Sequence, residues 1–396
     1  MQRIRPHGQP PPLPRNMRIL HTATHGQSSV LAVASASLAG GMSLVASSGH
    51  DGAIRLWSSR RACLEPVGEL MPDAGSIFSL SAHPTPDGGA VLLAGSFSRV
   101  VHAWLLRVAG GGDEVTPTPL WSSRQHTGWV RALAIGSQRS APSLGFSIGC
   151  NRILSWSLLP EGEADETGRQ PDSEIALFED AAQVRSHDIL CLAYGASQEM
   201  LAAGSVDGAV RCWPIGEASR ASGNDSGGLG AAVAEPDELS AVAPTRWLAH
   251  SDRVTNVHFT AGHEPRLVSA GYDGAVRCWA HSPRSNGDEG VPLIAETDLG
   301  ARIHALAASA DGQLHCGVGG EVLSLEPEEL RTTARVALPP GPAGVGTRAA
   351  QGAPVRVTAL AALPPELAGG DGDGDGGSAT LVAGDSAGRL HVLGMN

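Results

Sequence analysis

The chain has 396 residues, of which 42% are hydrophobic, so it is long enough to bury a substantial core. Its formal net charge is −12, which disfavours direct binding to nucleic-acid phosphates, and no apolar run reaches the ~18–20 residues of a membrane-spanning helix. All 28 basic residues are arginine, which excludes Schiff-base chemistry and phosphate-binding loops that require lysine.

The first residues carry weak information about location. Residues 1–16 are rich in proline and are predicted to be a flexible N-terminal extension. Arg3 and Arg5 precede no apolar segment of the kind that signal peptides contain. The six cysteines lie far apart without a CxxC pair, which favours a reducing compartment. We therefore expect an intracellular protein, in the cytoplasm or the nucleus. The lack of acidic residues before Asp51 leaves import into an organelle as the alternative.

Near-identical heptapeptides show that the sequence is repetitive. Residues 207–213 (DGAVRCW) recur unchanged at 273–279, and residues 51–57 (DGAIRLW) are a close copy. Each copy follows a short apolar run, and Asp-Gly between two apolar segments predicts a β-hairpin. Looser copies end at four further positions, namely Trp104, Trp156, Leu325 and Leu393. With the three heptapeptides, they give seven repeat units.

Further strands are predicted before the hairpins. His126, His187 and His250 each introduce an apolar strand, and His25 does so with one more residue in between. An outer strand precedes some of these, as in residues 120–123. Four short antiparallel strands repeated seven times predict an all-β fold, a seven-bladed β-propeller over residues 17–396.

The two ends of the chain are predicted to close this propeller. The last unit supplies three strands, and residues 18–21 can supply the missing outer strand and so remove two exposed sheet edges. Between the strands, low-complexity loops rich in glycine, proline and acidic residues are predicted at about 109–119, 159–173, 216–244, 338–353 and 364–378.

At these residues the chain resembles the WD40-repeat family. In that family a histidine before the inner strand, a second-strand serine or threonine, the turn aspartate and a third-strand tryptophan form a hydrogen-bonded tetrad. The family's Trp-Asp dipeptide never appears here, and units six and seven lack both the tryptophan and the histidine. The resemblance implies structural tetrads of His25, Ser47, Asp51 and Trp57 in unit one, His187, Asp207 and Trp213 (with Ala203 at the serine position) in unit four, and His250, Ser269, Asp273 and Trp279 in unit five.

Motifs for catalysis or metal binding are weak. Asp371, Asp373 and Asp375 imitate the start of a calcium loop, but Val382 stands where the bidentate glutamate belongs, so a solvated acidic linker is favoured. HExxH is absent, and no paired-carboxylate or Cys/His constellation stands out. We therefore predict no metal, no cofactor and no catalytic residue. A propeller enzyme with an active site in its channel is the least favoured alternative.

The narrow face, at which the inner strands begin, is the predicted binding surface. Alignment of the units places seven residues in one ring: Ser29, Ser76, Trp129, Leu190, Arg253, Arg302 and Arg356. The resemblance implies that this ring faces a partner, and Trp, Tyr and Arg are enriched at binding hot spots. The predicted partner-binding residues are Trp129, Arg253, Arg302 and Arg356 of the ring, with the neighbouring turn residues Phe97 and Tyr272.

Together these patterns predict a non-catalytic scaffold or adaptor that binds other proteins in a multiprotein complex. Three arginines at equivalent positions indicate an acidic or a phosphorylated segment as the bound part. The alternative is a substrate receptor of a cullin-type ubiquitin ligase. Residues 57–60 (WSSR) and 104–107 (WLLR) resemble the Trp-Asp-x-Arg ending of such receptors, although both lack the acidic residue.

Overall fold

The structure, a computed structural model, consists almost entirely of short antiparallel strands. Ala39–Gly41, a short 3-10 helix, is the only helical segment in the part of the chain that is described. No helix in that part could cross a membrane. The predicted extension 1–16 lies outside it. The described residues are 17–60, 62–72, 75–108, 114–136, 144–150, 152–158, 170–176, 188–197, 199–215, 244–260, 266–280, 291–309, 312–341, 355–364 and 379–395.

Seven four-stranded sheets form the seven blades that the repeats predict. Strand β1 (Met17–Thr24) belongs to the last of them. Blade one comprises β2 (Val30–Leu38), β3 (Met42–Gly49), β4 (Ile54–Arg60) and β5 (Cys63–Leu70). Blade two comprises β6 (Ile77–Pro84), β7 (Ala90–Ser96), β8 (Val101–Val108) and β9 (Val115–Ser123). Blade three comprises β10 (Val130–Gly136), β11 (Leu144–Gly149), β12 (Arg152–Ser157) and β13 (Ser173–Ala176).

The remaining blades repeat this order from an inner first strand to an outer fourth strand. Blade four comprises β14 (Ile189–Gly195), β15 (Met200–Ser205), β16 (Ala209–Pro214) and β17 (Thr245–Leu248). Blade five comprises β18 (Val254–Phe259), β19 (Arg266–Gly271), β20 (Ala275–Ala280) and β21 (Leu293–Asp298). Blade six comprises β22 (Ile303–Ala308), β23 (Leu314–Val318), β24 (Glu321–Leu325) and β25 (Thr332–Ala337). Blade seven comprises β26 (Val357–Ala362), β27 (Ala379–Asp385), β28 (Arg389–Met395) and β1.

Both ends of the chain meet in blade seven, as predicted. Strand β1 pairs antiparallel with β28 from Met17 opposite Met395 to Thr24 opposite Arg389. The inner strand β26 packs against β2 of blade one, so the seven blades form a closed ring. The pairing of β1 satisfies the backbone groups of β28, which would otherwise form an exposed sheet edge.

The hydrophobic core is divided into seven clusters, each between two neighbouring blades. Between blades seven and one, for example, Val382 and Leu390 pack with Val30 and Val45. The alternation along the strands explains this arrangement, because each blade has one apolar face for each neighbour. Every blade therefore depends on two others for the burial of its side chains.

Glycines on the second strands allow neighbouring blades to approach closely. A Cβ atom at Gly384 would lie 2.6 Å from Cγ1 of Val30, the first residue of the next blade. Likewise, a Cβ atom at Gly95 of blade two would lie 2.5 Å from Cγ1 of Val130, the first residue of blade three. Because carbon atoms cannot approach this closely, a larger residue at either position would push two blades apart.

Two predicted loop boundaries are wrong. Residues 115–119, assigned to the loop 109–119, belong to strand β9. Pro117 and Pro119 indicate a loop in the sequence, but proline is tolerated on an outer strand, because its free edge needs no N–H donor. Ser173, assigned to the loop 159–173, begins β13. The rest of the predicted low-complexity segments lies in coil or outside the described residues.

Candidate functional site

All seven inner strands carry a β-bulge at their second residue. The register with the neighbouring strand shifts between the first and third residues of every inner strand, for example between Val254 and Asn256. A bulge leaves one residue unpaired and redirects its side chain. Each blade therefore brings two residues to the narrow face, one just before the inner strand and one at the bulge.

These residues form two rings. The narrow face also carries the turns between second and third strands, since the first residue of each inner strand pairs with the end of the second strand. The first ring consists of Ser29, Ser76, Trp129, Asp188, Arg253, Arg302 and Arg356. The second ring consists of the bulged residues Leu31, Phe78, Arg131, Leu190, Thr255, His304 and Thr358.

The assignment of Leu190 to the first ring is therefore wrong by two residues. Ile189 opens β14 and pairs with Ser205, as Val254 pairs with Gly271 in blade five. The backbone N–H of Val206 donates to the carbonyl of Asp188 at 2.9 Å. Asp188 thus takes the position that Arg253 has in blade five, and Leu190 is the bulged residue. His187 lies outside the described residues, so only the strand pairing reveals the shift.

Five residues of blades five, six and seven form what we call the basic patch: Arg253, Tyr272, Arg302, His304 and Arg356. The guanidinium carbons of Arg253 and Arg302 lie 5.3 and 5.2 Å from the centroid of the Tyr272 ring. The Tyr272 hydroxyl lies 3.2 Å from Nδ1 of His304. Arg302, His304 and Arg356 line a cleft of about 230 Å³. The three predicted arginines are thus exposed; two of them stack on one tyrosine, and the third shares a cleft with Arg302.

The charges of the basic patch are only partly balanced by neighbouring carboxylates. Nε of Arg253 lies 3.8 Å from Oδ1 of Asp252. Within the described residues, Arg302 and Arg356 have no ion-pair partner. Burial, together with the charges of Arg356 and Arg302, lowers the pKa of His304. The patch therefore combines two uncompensated guanidinium groups with a histidine that is held neutral.

A second group on the narrow face, the aromatic patch, consists of Phe78, Phe97, Trp129 and Arg131. Its rings lie close together, with centroids 4.7 Å apart for Phe97 and Trp129 and 5.8 Å apart for Phe78 and Trp129. The guanidinium carbon of Arg131 lies 5.0 Å from the Trp129 centroid. Phe97 is 45% and Trp129 41% exposed, which is unusual for such large apolar side chains.

The two patches divide the six predicted residues between them. Phe97 belongs to blade two and Trp129 to blade three. The three arginines and Tyr272 belong to blades five to seven. Phe78, Arg131 and His304 were missed. Their common signal is that each is the second residue of an inner strand, but strict alternation along a strand hides a bulge.

Blade five contains the complete hydrogen-bonded tetrad that was predicted. Nε2 of His250 lies 2.7 Å from Oγ of Ser269, to which Nε1 of Trp279 donates at 2.9 Å. Nδ1 of His250 lies 2.9 Å from Oδ1 of Asp273. Burial by itself would raise the pKa of Asp273, but hydrogen bonds from Arg277 and His250 hold it at about 2.

Blade one keeps the same residues with one altered link. Oγ of Ser47 lies 2.8 Å from both Nδ1 of His25 and Nε1 of Trp57. Asp51 lies 3.7 Å from Nε2 of His25, too far for a hydrogen bond, and instead accepts from Arg55 at 2.7 Å. The heptapeptide signals this role, because it places arginine four residues after the aspartate.

In the described residues of blade four, a buried arginine contacts the turn aspartate. Arg211, 3% exposed, donates to Oγ of Ser205 at 2.7 Å and to Oδ2 of Asp207 at 3.1 Å. Trp213 is buried. The predicted His187 lies outside the described residues, and Ala203 offers no hydroxyl to either partner. Arg211 thus joins Ser205 and the backbone N–H of Ala209 in the polar contacts around Asp207.

Blades six and seven contain histidines at other positions than the family pattern. In blade six, Nδ1 of His315 lies 2.8 Å from Oγ of Ser324, and both residues are buried. In blade seven, Nε2 of His391 lies 2.9 Å from Oδ2 of Asp385, and Oγ1 of Thr22 lies 3.0 Å from Nδ1 of His391. These two blades are therefore regular in shape, although their repeat pattern has diverged.

Comparison with protein families now decides the classification. The family model described as WD40, WD domain, G-beta repeat, matches residues 17–58, 179–214 and 244–280. The chain contains WD40 repeats. The matched regions are blade one with the closing strand, blade four and blade five, which are the blades that contain the heptapeptide. No curated protein matches this WD40 chain significantly.

Possible metal ligands and thiols are dispersed in the described part of the propeller. Among the described residues, no three His, Cys, Asp or Glu side chains converge as a metal site requires. Asp371, Asp373 and Asp375 lie outside the described residues. Burial raises the pKa of the thiols of Cys191 and Cys316 to about 12, so both remain protonated and unreactive.

Buried histidines should make the stability of the WD40 propeller depend on pH. Burial, aided by the charge of Arg55, lowers the pKa of His25 to about 4, whereas an unfolded histidine titrates near pH 6.5. Between these values the unfolded chain binds protons that the folded chain does not, so the free energy of unfolding falls as the pH falls. We expect His25 alone to contribute a loss of about 2 kcal/mol between pH 7 and pH 5.

Urea unfolding at about pH 7 and pH 5 measures this loss. His25→Asn should be less stable than the natural protein at pH 7 and should show a smaller pH dependence. His50→Gln, which alters an exposed histidine, is the matched control and should keep the full dependence. A free energy of unfolding that stays constant between the two pH values would contradict the prediction.

Proposed function

We propose that the protein is a non-catalytic scaffold that binds other proteins through its narrow face. The observation that carries this proposal is the basic patch of three exposed arginines on a chain with a net charge of −12. Arg253 and Arg302 stack on Tyr272, and Arg356 lines a cleft together with Arg302. Like charges that are grouped against the overall charge create a local positive potential. Such a potential attracts a negatively charged segment of a partner and steers its approach.

The two patches together define the chemistry of the partner. The basic patch suits carboxylate or phosphate groups, because the planar guanidinium of arginine can form two parallel hydrogen bonds to such anions. The aromatic patch suits an apolar side chain, since Phe97 and Trp129 expose large ring surfaces. We infer an acidic or phosphorylated segment that also carries an apolar anchor.

The fold supports binding by keeping these groups in place. Both rings of the narrow face are attached to inner strands, and the first residue of each of those strands is buried in a core between two blades. Stacking on Tyr272 further restricts the side chains of Arg253 and Arg302. Binding to a preorganised surface loses little conformational entropy, so most of the contact energy is available for affinity.

Reversal of the three arginine charges should abolish partner binding. The variant Arg253→Glu, Arg302→Glu, Arg356→Glu removes the positive potential, and the affinity should fall by more than about tenfold, well beyond the effect of one exposed ion pair. The fold should persist, since all three residues are exposed before their strands. Affinity capture of partners from cells, followed by binding measurements with the captured protein, provides the test.

The matched control changes three arginines away from the narrow face. Arg107, Arg331 and Arg335 are exposed and pair with Asp87, Glu329 and Glu321 on the surface. Their reversal gives the same net charge and should leave binding unchanged. If the control variant loses the partner and the narrow-face variant keeps it, the narrow face is not the binding surface, and the ubiquitin-ligase alternative gains support.

A further inference from the structure

We propose that the cleft between blades six and seven binds the phosphate group of a phosphorylated side chain in the partner. The cleft is lined by Arg302, His304 and Arg356, with Ala301 and Gly319 at its sides. This inference rests on the proposed function and narrows it, because it assigns one part of the basic patch to one chemical group. Arg253, which lies beside Asp252, is left outside the phosphate contact.

The shape of the cleft suits a compact anion. Its volume of about 230 Å³ leaves room for a phosphate group with its ester linkage. Gly319 adopts a φ of 56° and a Cβ atom there would meet nothing within 4 Å, so this side of the cleft is open to an approaching segment. Arginine side chains on both sides of His304 can then close on the anion from two directions.

The charge of the cleft favours a dianion over a carboxylate. Arg302 and Arg356 have no ion-pair partner among the described residues, and both line the cleft beside His304. Burial is the main cause that lowers the pKa of His304, and the charges of these two arginines add to it. A phosphate monoester has three terminal oxygens in a tetrahedral arrangement and a charge of about −1.5 to −2 at pH 7. It can accept from both guanidinium groups and the imidazole at once, whereas a carboxylate has two oxygens in one plane.

Tyr272 prepares two of these groups for binding. Its ring stacks with the guanidinium group of Arg302, which limits the rotamers that the arginine samples. Its hydroxyl engages Nδ1 of His304, so Nε2 is the nitrogen that remains for a ligand. The groups that face His304 are Tyr272, Arg302 and Arg356, and a bound dianion would outweigh the two positive charges and raise the pKa of the histidine.

Calorimetric titration of the full chain with N-acetyl-phosphoserine amide tests the proposal. N-acetyl-glutamate amide and N-acetyl-serine amide are the matched ligands without phosphate. We expect the phosphoserine compound to bind at least about tenfold more tightly than the glutamate compound. Arg302→Gln with Arg356→Gln should lose this binding, while Arg331→Gln with Arg335→Gln in the same blade should retain it. NMR titration should show a higher pKa for His304 when phosphoserine is bound.

Four results would overturn the proposal. Equal affinity for the glutamate and phosphoserine compounds would show a general anion surface. Retention of binding in the Arg302→Gln, Arg356→Gln variant would place the phosphate elsewhere. Tighter binding of inositol trisphosphate, accompanied by binding to vesicles that contain phosphoinositides, would identify a lipid as the source of the phosphate. If phosphoserine fails to bind while charge reversal still abolishes partner capture, the scaffold function stands and only the phosphate site falls.

Discussion

Deletion of residues 1–24 should abolish the cooperative folding of the propeller, whereas deletion of residues 1–16 should leave it folded. The longer deletion removes the whole of β1, which pairs with β28 along its full length. It also removes apolar side chains from two cores, since Met17 packs in the cluster between blades six and seven and Leu20 in the cluster between blades seven and one. The shorter deletion keeps all of these contacts.

The size of the effect follows from what β1 contributes. Loss of the strand breaks a ladder of seven residue pairs. It also removes the hydrogen bond between the hydroxyl of Thr22 and Nδ1 of the buried His391. At about 1 kcal/mol for each net hydrogen bond, plus the lost apolar burial, this approaches the whole stability of about 5–15 kcal/mol that is typical of a folded domain. An opened ring would also expose the edge of β28 to aggregation.

Thermal and urea unfolding, followed by circular dichroism, measure the difference between the two deletions. A synthetic peptide of residues 17–24, added in excess, should restore part of the stability of the longer deletion by pairing with β28. If the longer deletion melts at the same temperature as the full chain, the ring is not held closed by β1, and the account of blade seven is wrong.

The sequence alone predicted the number of blades and their closure, because both depend on local signals. Asp-Gly turns such as Asp273-Gly274 and the repeated tryptophans report hairpins directly, and their spacing reports the repeat. Outer strands were predicted less well. Their residues are half exposed and tolerate proline, as Pro117 in β9 shows, so neither alternation nor composition separates them from loops.

The candidate site was predicted only in part because its geometry is not local. The bulge that brings Phe78 and His304 to the narrow face is a property of strand pairing. The stacking of Arg253 and Arg302 on Tyr272 joins residues of blades five and six, and the charge of Arg356 arrives from blade seven. Periodicity could indicate that arginines share one ring, but not which side chains they contact.

The buried polar groups of blade seven illustrate the same limit. His391 lies on a third strand at a position where the family pattern has no histidine, and its partners Thr22 and Asp385 lie far from each other in the chain. Asp385 is fully buried and accepts from Nε of Arg389 at 2.7 Å and from Nε2 of His391 at 2.9 Å. Burial by itself would raise the pKa of Asp385, but these hydrogen bonds hold it below its usual value.

Substitution of three aspartates by alanine should therefore produce three graded losses of stability. Asp385→Ala leaves a buried histidine and an arginine without their acceptor, and should cost about 3–5 kcal/mol. Asp273→Ala removes an acceptor from the tetrad of blade five and leaves the buried His250 short of a partner, with a loss of about 1–3 kcal/mol. Asp371→Ala changes the predicted acidic linker outside the described residues, and the effect should stay within about 0.5 kcal/mol.

Urea unfolding at pH 7 measures all three variants under one condition, at which Asp273 and Asp385 are ionised in both the folded and the unfolded chain. Asp385→Asn provides a folded comparison if the alanine variant does not fold, because the amide keeps the size and one acceptor oxygen. It should be less stable than the natural protein and more stable than Asp385→Ala. Equal losses for Asp273→Ala and Asp371→Ala would contradict the tetrad of blade five. A loss for Asp385→Ala no larger than that for Asp371→Ala would show that the buried cluster does not hold blade seven together.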